Sequence, residues 1–188
     1  MVIAIPKEVL PGENRVSIVP DVAAKLIKKG FTLKVEKDAG ISAGFTNEKY
    51  IEAGAEIVNS LTELYNADII LKVQRPVEHP NGKHETEFIK EGSFLIAFMY
   101  TLHYSDLAKM YANHGINVIS MDAIPRTTLA QKMDALSSQA NIAGYKSVLL
   151  AANALGKIFP LMMTAAGTIQ PAKVVIMGAG VAGLQALG

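Results

Sequence analysis

Two stretches of this chain carry residue types and spacings suited to chemistry. The first runs from Pro125 to Tyr145 and sets Arg126, Gln131, Asp134 and Ser137 into an otherwise apolar region. Arg126 offers a rigid fork of donors that can pair with Asp134 and still reach a carboxamide oxygen. Gln131 both donates and accepts, which suits a ribose hydroxyl or an amide. The same residues are equally compatible with an interdomain hinge held by a local Arg–Asp pair. The second stretch is Val174-Val-Ile-Met-Gly178-Ala-Gly180-Val-Ala-Gly183, a G-x-G-x-x-G pattern after an apolar run and before a helical one. In such a pattern Gly178 permits a tight turn, Gly180 lets a pyrophosphate approach the backbone, and Gly183 lets the helix pack close to the strand. A plain glycine-rich strand–helix turn is the alternative.

The remaining polar residues are less telling. His79, His84, His103 and His114 lack metal-ligand spacing, and the chain has no cysteine, so no metal site is expected. Lys72 ends an apolar run, where it either faces a site at the carboxyl end of a strand or snorkels out of the core. The formal net charge of +1 argues against a nucleic-acid binder that works by neutralising phosphates. With 50% hydrophobic and 19% charged residues, the 188-residue chain can build a packed core. Its longest apolar stretch, 147–169, is broken by Asn153, Lys157 and Pro160 and is a poor membrane span, so a soluble chain is expected.

The elements that must position these residues alternate. Strands are expected at Val2–Ile5, Phe31–Val35, Glu56–Val58, Ile69–Val73, Phe94–Met99 and Ile116–Ser120. Between them, helices are expected over Asp21–Lys29, from an Asn47 cap to Ala53, from Ser60 onward, over Glu85–Lys90 and over Ser105–Asn113. This alternation predicts an α/β fold with a doubly wound parallel sheet, flavodoxin- or Rossmann-like. After it come a loop, a long linking helix capped by Ser137 or Ser138, an irregular stretch over 160–171, and a buried strand at Lys173–Met177 opening a truncated Rossmann domain. The expected division is 1–125 for the sheet domain, 126–172 for the loop and linking helix, and 173–188 for the start of the second domain. The acidic residue that holds ribose hydroxyls would fall beyond Gly188, so the chain alone is expected to bind NAD weakly or not at all.

The Arg126–Tyr145 stretch, Phe159-Pro-Leu-Met-Met-Thr-Ala-Ala-Gly167-Thr and the terminal glycine loop together resemble the alpha subunits of proton-translocating NAD(P) transhydrogenases. Pro6-Lys-Glu, Asn14-Arg15-Val16, Ala39-Gly40, Ala53-Gly-Ala55 and Lys72-Val-Gln-Arg75-Pro76 fit as well, and the resemblance covers essentially the whole chain. It implies that Arg126, Gln131, Asp134 and Ser137 contact nicotinamide and ribose of NAD(H), while Gly178, Gly180 and Gly183 hold the pyrophosphate. It implies hydride transfer between NADH and NADP+, with NADP(H) bound by a different subunit or domain. Partner domains would supply proton translocation in the membrane. A homodimer and a cytoplasmic position peripheral to the inner membrane are further implications. No acid–base pair is then required, because hydride passage between two nicotinamides needs proximity and orientation.

Alanine dehydrogenase shares the architecture and is the alternative. In that family an Arg and a Lys hold the substrate carboxylate, and Arg15 and Lys72 match them. His103 in Tyr100-Thr-Leu-His103 departs from that family's Tyr-Leu-His. The resemblance favours a buried position for Arg15. An inactive truncated interaction module is the third reading.

Overall fold

The computed structural model describes residues 1–188, which divide into two units, Met1–Ile124 and Pro125–Gly188. In the first unit the chain runs β1 (Val2–Ile5), α1 (Pro20–Lys28), β2 (Thr32–Glu36), α2 (Asn47–Glu52), β3 (Glu56–Val58), α3 (Leu61–Tyr65) and β4 (Ile69–Gln74). It continues through β5 (Phe94–Phe98), α4 (Ser105–Asn113) and β6 (Asn117–Ser120). The strands form one parallel sheet in the order β3-β2-β1-β4-β5-β6. The direction of winding reverses between β1 and β4, and the carboxyl ends of these strands flank the crevice where doubly wound sheets collect functional groups.

Period-2 alternation explains the two cores. Ile3 and Ile5 point to one face and pack with Ala23, Leu33, Val35 and Tyr50. Ala4 points to the other and packs with Leu64, Tyr65, Ile70, Leu95 and Tyr111. Each face is buried under helices, as an all-parallel sheet requires.

Local signals set most boundaries. Gly30 and Gly54 end α1 and α2 in the left-handed region, with φ of 91° and 90°. The Ser60 hydroxyl accepts the Glu63 N–H and caps α3. Two expectations are corrected here. Asn47 is not the cap of α2 but its first residue, after Thr46. Its side chain is engaged elsewhere, accepting the Asp38 N–H and donating to the Asp38 carboxylate, which fixes Asp38 at φ 64°. The helix expected over Glu85–Lys90 is only a 3-10 turn, Glu85–Glu87, because the Glu85 side chain is drawn inward to Lys72.

The second unit holds α5 (Ala135–Ala154), the antiparallel hairpin β7 (Met162–Thr164) and β8 (Gly167–Ile169), and α6 (Val181–Leu187). The hairpin replaces the irregular stretch expected over 160–171. The strand expected at Lys173–Met177 does not form. Val175 and Met177 are 83% and 95% exposed, and no strand pairs with the segment. An apolar run becomes a strand only when a neighbour takes its backbone N–H and C=O groups. No helix in the chain is long and apolar enough to cross a membrane.

Candidate functional site

In the second unit the polar loop is organised around Asp134, which caps α5. Its Oδ1 accepts the Ser137 N–H at 2.9 Å and its Oδ2 accepts the Ser137 hydroxyl at 2.6 Å. Asp134 and Ser137 stand at N-cap and N3, so their spacing is the cap itself. This corrects the expectation that Ser137 or Ser138 caps the helix. A carboxylate satisfies the orphan N–H groups and the positive helix end better than a hydroxyl does. The Ser137 hydroxyl, then its amide, hold the Asp134 carboxyl below its usual range, with a smaller contribution from the charge of Arg126.

Arg126 makes no ion pair with Asp134, contrary to the pairing considered from the sequence. Arg126 and the Gln131 side chain are exposed. Gln131 lies on a 3-10 turn, Gln131–Met133, set up by Thr127, whose carbonyl and hydroxyl both accept the Ala130 N–H. Asp134 and Ser137 are thus brought together, while Arg126 and Gln131 present their polar groups to solvent.

The three glycines each meet a distinct demand. Gly178 has φ 116°, which a side chain resists. A Cβ at Gly180 would meet nothing within 4 Å, so that backbone is open to a ligand. A Cβ at Gly183 would strike the Gly178 carbonyl oxygen, so only glycine lets α6 sit this close to the loop before it. Gly144 was not singled out in the sequence. A Cβ there would strike the Ala182 backbone, so α5 and α6 cross backbone to backbone at this point. An apolar groove of about 670 Å³ runs beside this crossing, lined by Val148, Ala151, Phe159, Ile176 and Leu187 among others.

In the first unit the carboxyl end of β4 carries a buried ionic group that the sequence reading largely missed. Lys72 does not snorkel. Its side chain is 1% exposed, and its Nζ lies 2.7 Å from Glu85 Oε1 and 3.4 Å from Glu8 Oε2. Glu8 also accepts the N–H of Val73 at 2.6 Å. Burial nevertheless outweighs the attraction of Lys72 and pushes the Glu8 carboxyl up. Glu8 falls within Pro6-Lys-Glu, which fits the resemblance, but its residue type and spacing assigned it no role. Glu85 gave no signal, because a polar loop hides which of its carboxylates turns inward.

Arg15 is exposed, which corrects the buried position that the resemblance favours. It follows the Pro11–Gly12 turn and binds Glu13 at 2.6 Å. That contact leads the causes holding the Glu13 carboxyl down at about 2, with the Gln74 amide adding to it. His103 is exposed on the turn after β5. That turn is pinned by Asp122, which accepts the Met99 N–H at 2.7 Å and the Ser120 hydroxyl at 2.6 Å and holds Tyr100 at φ 48°.

Comparison with known proteins gives concordant matches. Residues 4–143 match the family model "Alanine dehydrogenase/PNT, N-terminal domain", and residues 147–188 match the corresponding C-terminal domain. The chain is 44% identical over 188 residues to the NAD(P) transhydrogenase subunit alpha of Haemophilus influenzae, covering all of this chain and 36% of that protein. A crystal structure of transhydrogenase from Sinorhizobium meliloti superposes with a TM-score of 0.93 at 40% identity, over 99% of this chain and 52% of that one. An L-alanine dehydrogenase structure gives 0.83 at 28% identity, over 100% of this chain and 51% of that one. The chain therefore spans about half or less of the length of the proteins it resembles. On its sheet order, its glycine loop and these matches over both segments, the chain belongs to the alanine dehydrogenase/PNT family.

Proposed function

We propose that this chain forms part of the NAD(H) site of an NAD(P) transhydrogenase, in which hydride passes from NADH to NADP+ held by another subunit or domain. The observation that carries the reading is the loop before α5. Its Asp134–Ser137 cap is internally satisfied, while Arg126 and Gln131 keep their donors and acceptors free. Such a loop suits orientation of a ligand better than a proton-transfer role, since the one carboxylate in it is committed to the helix end. The residues present fit a dinucleotide, because the Gly180 backbone is open to approach and Gly178 makes the turn that exposes it. Bound NADH supplies the hydride. Arg126 donates to the carboxamide oxygen, Gln131 bonds the ribose or amide, and Gly178, Gly180 and Gly183 shape the pyrophosphate cradle.

Partner domains in the membrane would couple the transfer to proton translocation. The chain would then work as one copy of a homodimer on the cytoplasmic face of the inner membrane, and by itself it would be inactive. An alanine dehydrogenase reading is less well supported, because Lys72 and Arg15, the two cations suited to a substrate carboxylate, are each bound to the chain's own glutamates.

The test uses the intact enzyme. Gln131→Asn shortens the side chain by one methylene and keeps its polarity. It is expected to slow hydride transfer at least tenfold, about 1.4 kcal/mol of barrier, while changing NADH affinity little. Equal losses in the two measurements count against an orienting role.

A further inference from the structure

The ionic group at the carboxyl end of β4 plays no part in hydride transfer as proposed above. Its geometry centres on Glu85. The Lys72 ammonium lies 2.7 Å from Glu85 Oε1, the Tyr65 hydroxyl donates to the same oxygen at 2.9 Å, and the Val77 N–H donates to Oε2 at 2.9 Å. An ammonium, a hydroxyl and a backbone amide thus converge on one carboxylate, and the side chains of Lys72 and Glu85 are each 1% exposed. This donor set is what a site for a small carboxylic acid requires.

The carboxylate arrives on a loop and not on the sheet. Residues 77–85 close on themselves, with the Glu85 N–H donating to the Val77 carbonyl at 3.0 Å and the His79 N–H to the Lys83 carbonyl at 2.8 Å. The loop therefore hands Glu85 back to the strand from which the chain departed. Glu8, the other carboxylate near Lys72, is occupied by the backbone N–H groups of Val73 and Gln74 at 2.6 and 3.4 Å. It leaves the nearer position on the ammonium to Glu85.

We propose that Lys72, Tyr65 and the Val77 amide form a carboxylate-binding site whose ligand is the chain's own Glu85, so that the site is closed to small carboxylic acids from solution. Burial, followed by the charge of Glu85, pushes the Tyr65 phenol well up, so it remains a donor at any ordinary pH. The inference stands independently of the transhydrogenase reading, since it concerns the filling of a pocket and not the passage of hydride.

Glu85→Ala in the full 188-residue chain tests it, with formate as the probe. Thermal unfolding is followed in sodium formate and in sodium chloride of matched ionic strength. The variant is expected to unfold several degrees below the parent in chloride and to regain most of that loss as formate is raised. The parent chain, Glu85→Gln (whose amide keeps the space filled) and the double variant Glu85→Ala/Lys72→Met are each expected to behave alike in the two salts. Absence of a formate response in Glu85→Ala overturns the proposal. So does an equal response in the parent or in the double variant. Should Glu85→Ala fail to fold in chloride, the yield on dilution from urea decides. Recovery in formate supports the site, and equal failure in both salts overturns it. None of these outcomes bears on Gln131→Asn in the intact enzyme, so the two readings fail separately.

Discussion

Glu13 and Glu8 lie on the same loop and titrate in opposite directions. Arg15 and the Gln74 amide stabilise the charged form of Glu13 and bring its carboxyl down to about 2. Burial of Glu8 favours the neutral form despite Lys72 at 3.4 Å. A lowered folded value means that the contribution of Glu13 to stability is fully present above its unfolded value, roughly 4.3. It is lost as the pH falls through about 2. For Glu8 the sign is reversed, and stability declines as the pH rises through its raised folded value. Glu13→Gln is therefore expected to flatten the acid limb of the stability profile between those two limits and to leave the higher limb unchanged. Urea unfolding across that range checks it, and an unaltered acid limb would show that the Arg15 contact contributes nothing. Neither direction could be read from residue types, since both are glutamates within two residues of a basic side chain.

The crossing of α5 and α6 shows how context reverses a propensity. Gly144 lies inside a 20-residue helix, where alanine would ordinarily stabilise by about 1 kcal/mol. At this position the added methyl would meet the backbone of Ala182, which cannot swing aside as a side chain can. Overpacking of this kind costs about 1–3 kcal/mol, enough to cancel or exceed the propensity gain. Gly144→Ala is expected to lower the stability of the second unit, as followed by denaturant unfolding, and a rise in stability would refute the close crossing. Helix starts and stops were largely legible, because the capping residues and Gly30 and Gly54 act through their own chemistry. The cap of α5 lies three or four residues before the expected Ser137 or Ser138, since Asp134 and the serines are all competent caps and only the hydrogen bonds between Asp134 and Ser137 choose among them.

The two units differ in how much they bury. The first has a core on each face of its sheet, with Ile5, Leu33, Leu64, Ile70 and Leu95 at most 1% exposed. In the second, only Ala130 and Gly144 are buried, and the residues from 174 to 177 are open to solvent. Apolar burial contributes roughly 25 cal/mol per Å², so the first unit must account for most of the cooperative stability of this chain. Hydrogen exchange on the isolated chain is expected to give opening free energies near the global value for β1, β4 and β5 and close to zero for α6. Equal protection of α6 and β4 would contradict that division.

The residue types and their spacing by themselves determined the alternating α/β class, the placing of all six parallel strands, the glycine loop and the polar residues before α5. Each of these rests on short-range periodicity or on the chemistry of one or two adjacent residues. Tertiary structure alone decided that Lys72 is sealed by Glu85, that Arg15 lies outside, that Gly144 is a contact point and that 173–177 has no strand partner. Those outcomes depend on which distant groups meet, and a linear pattern does not encode the sharing of a buried charge or of a backbone hydrogen bond.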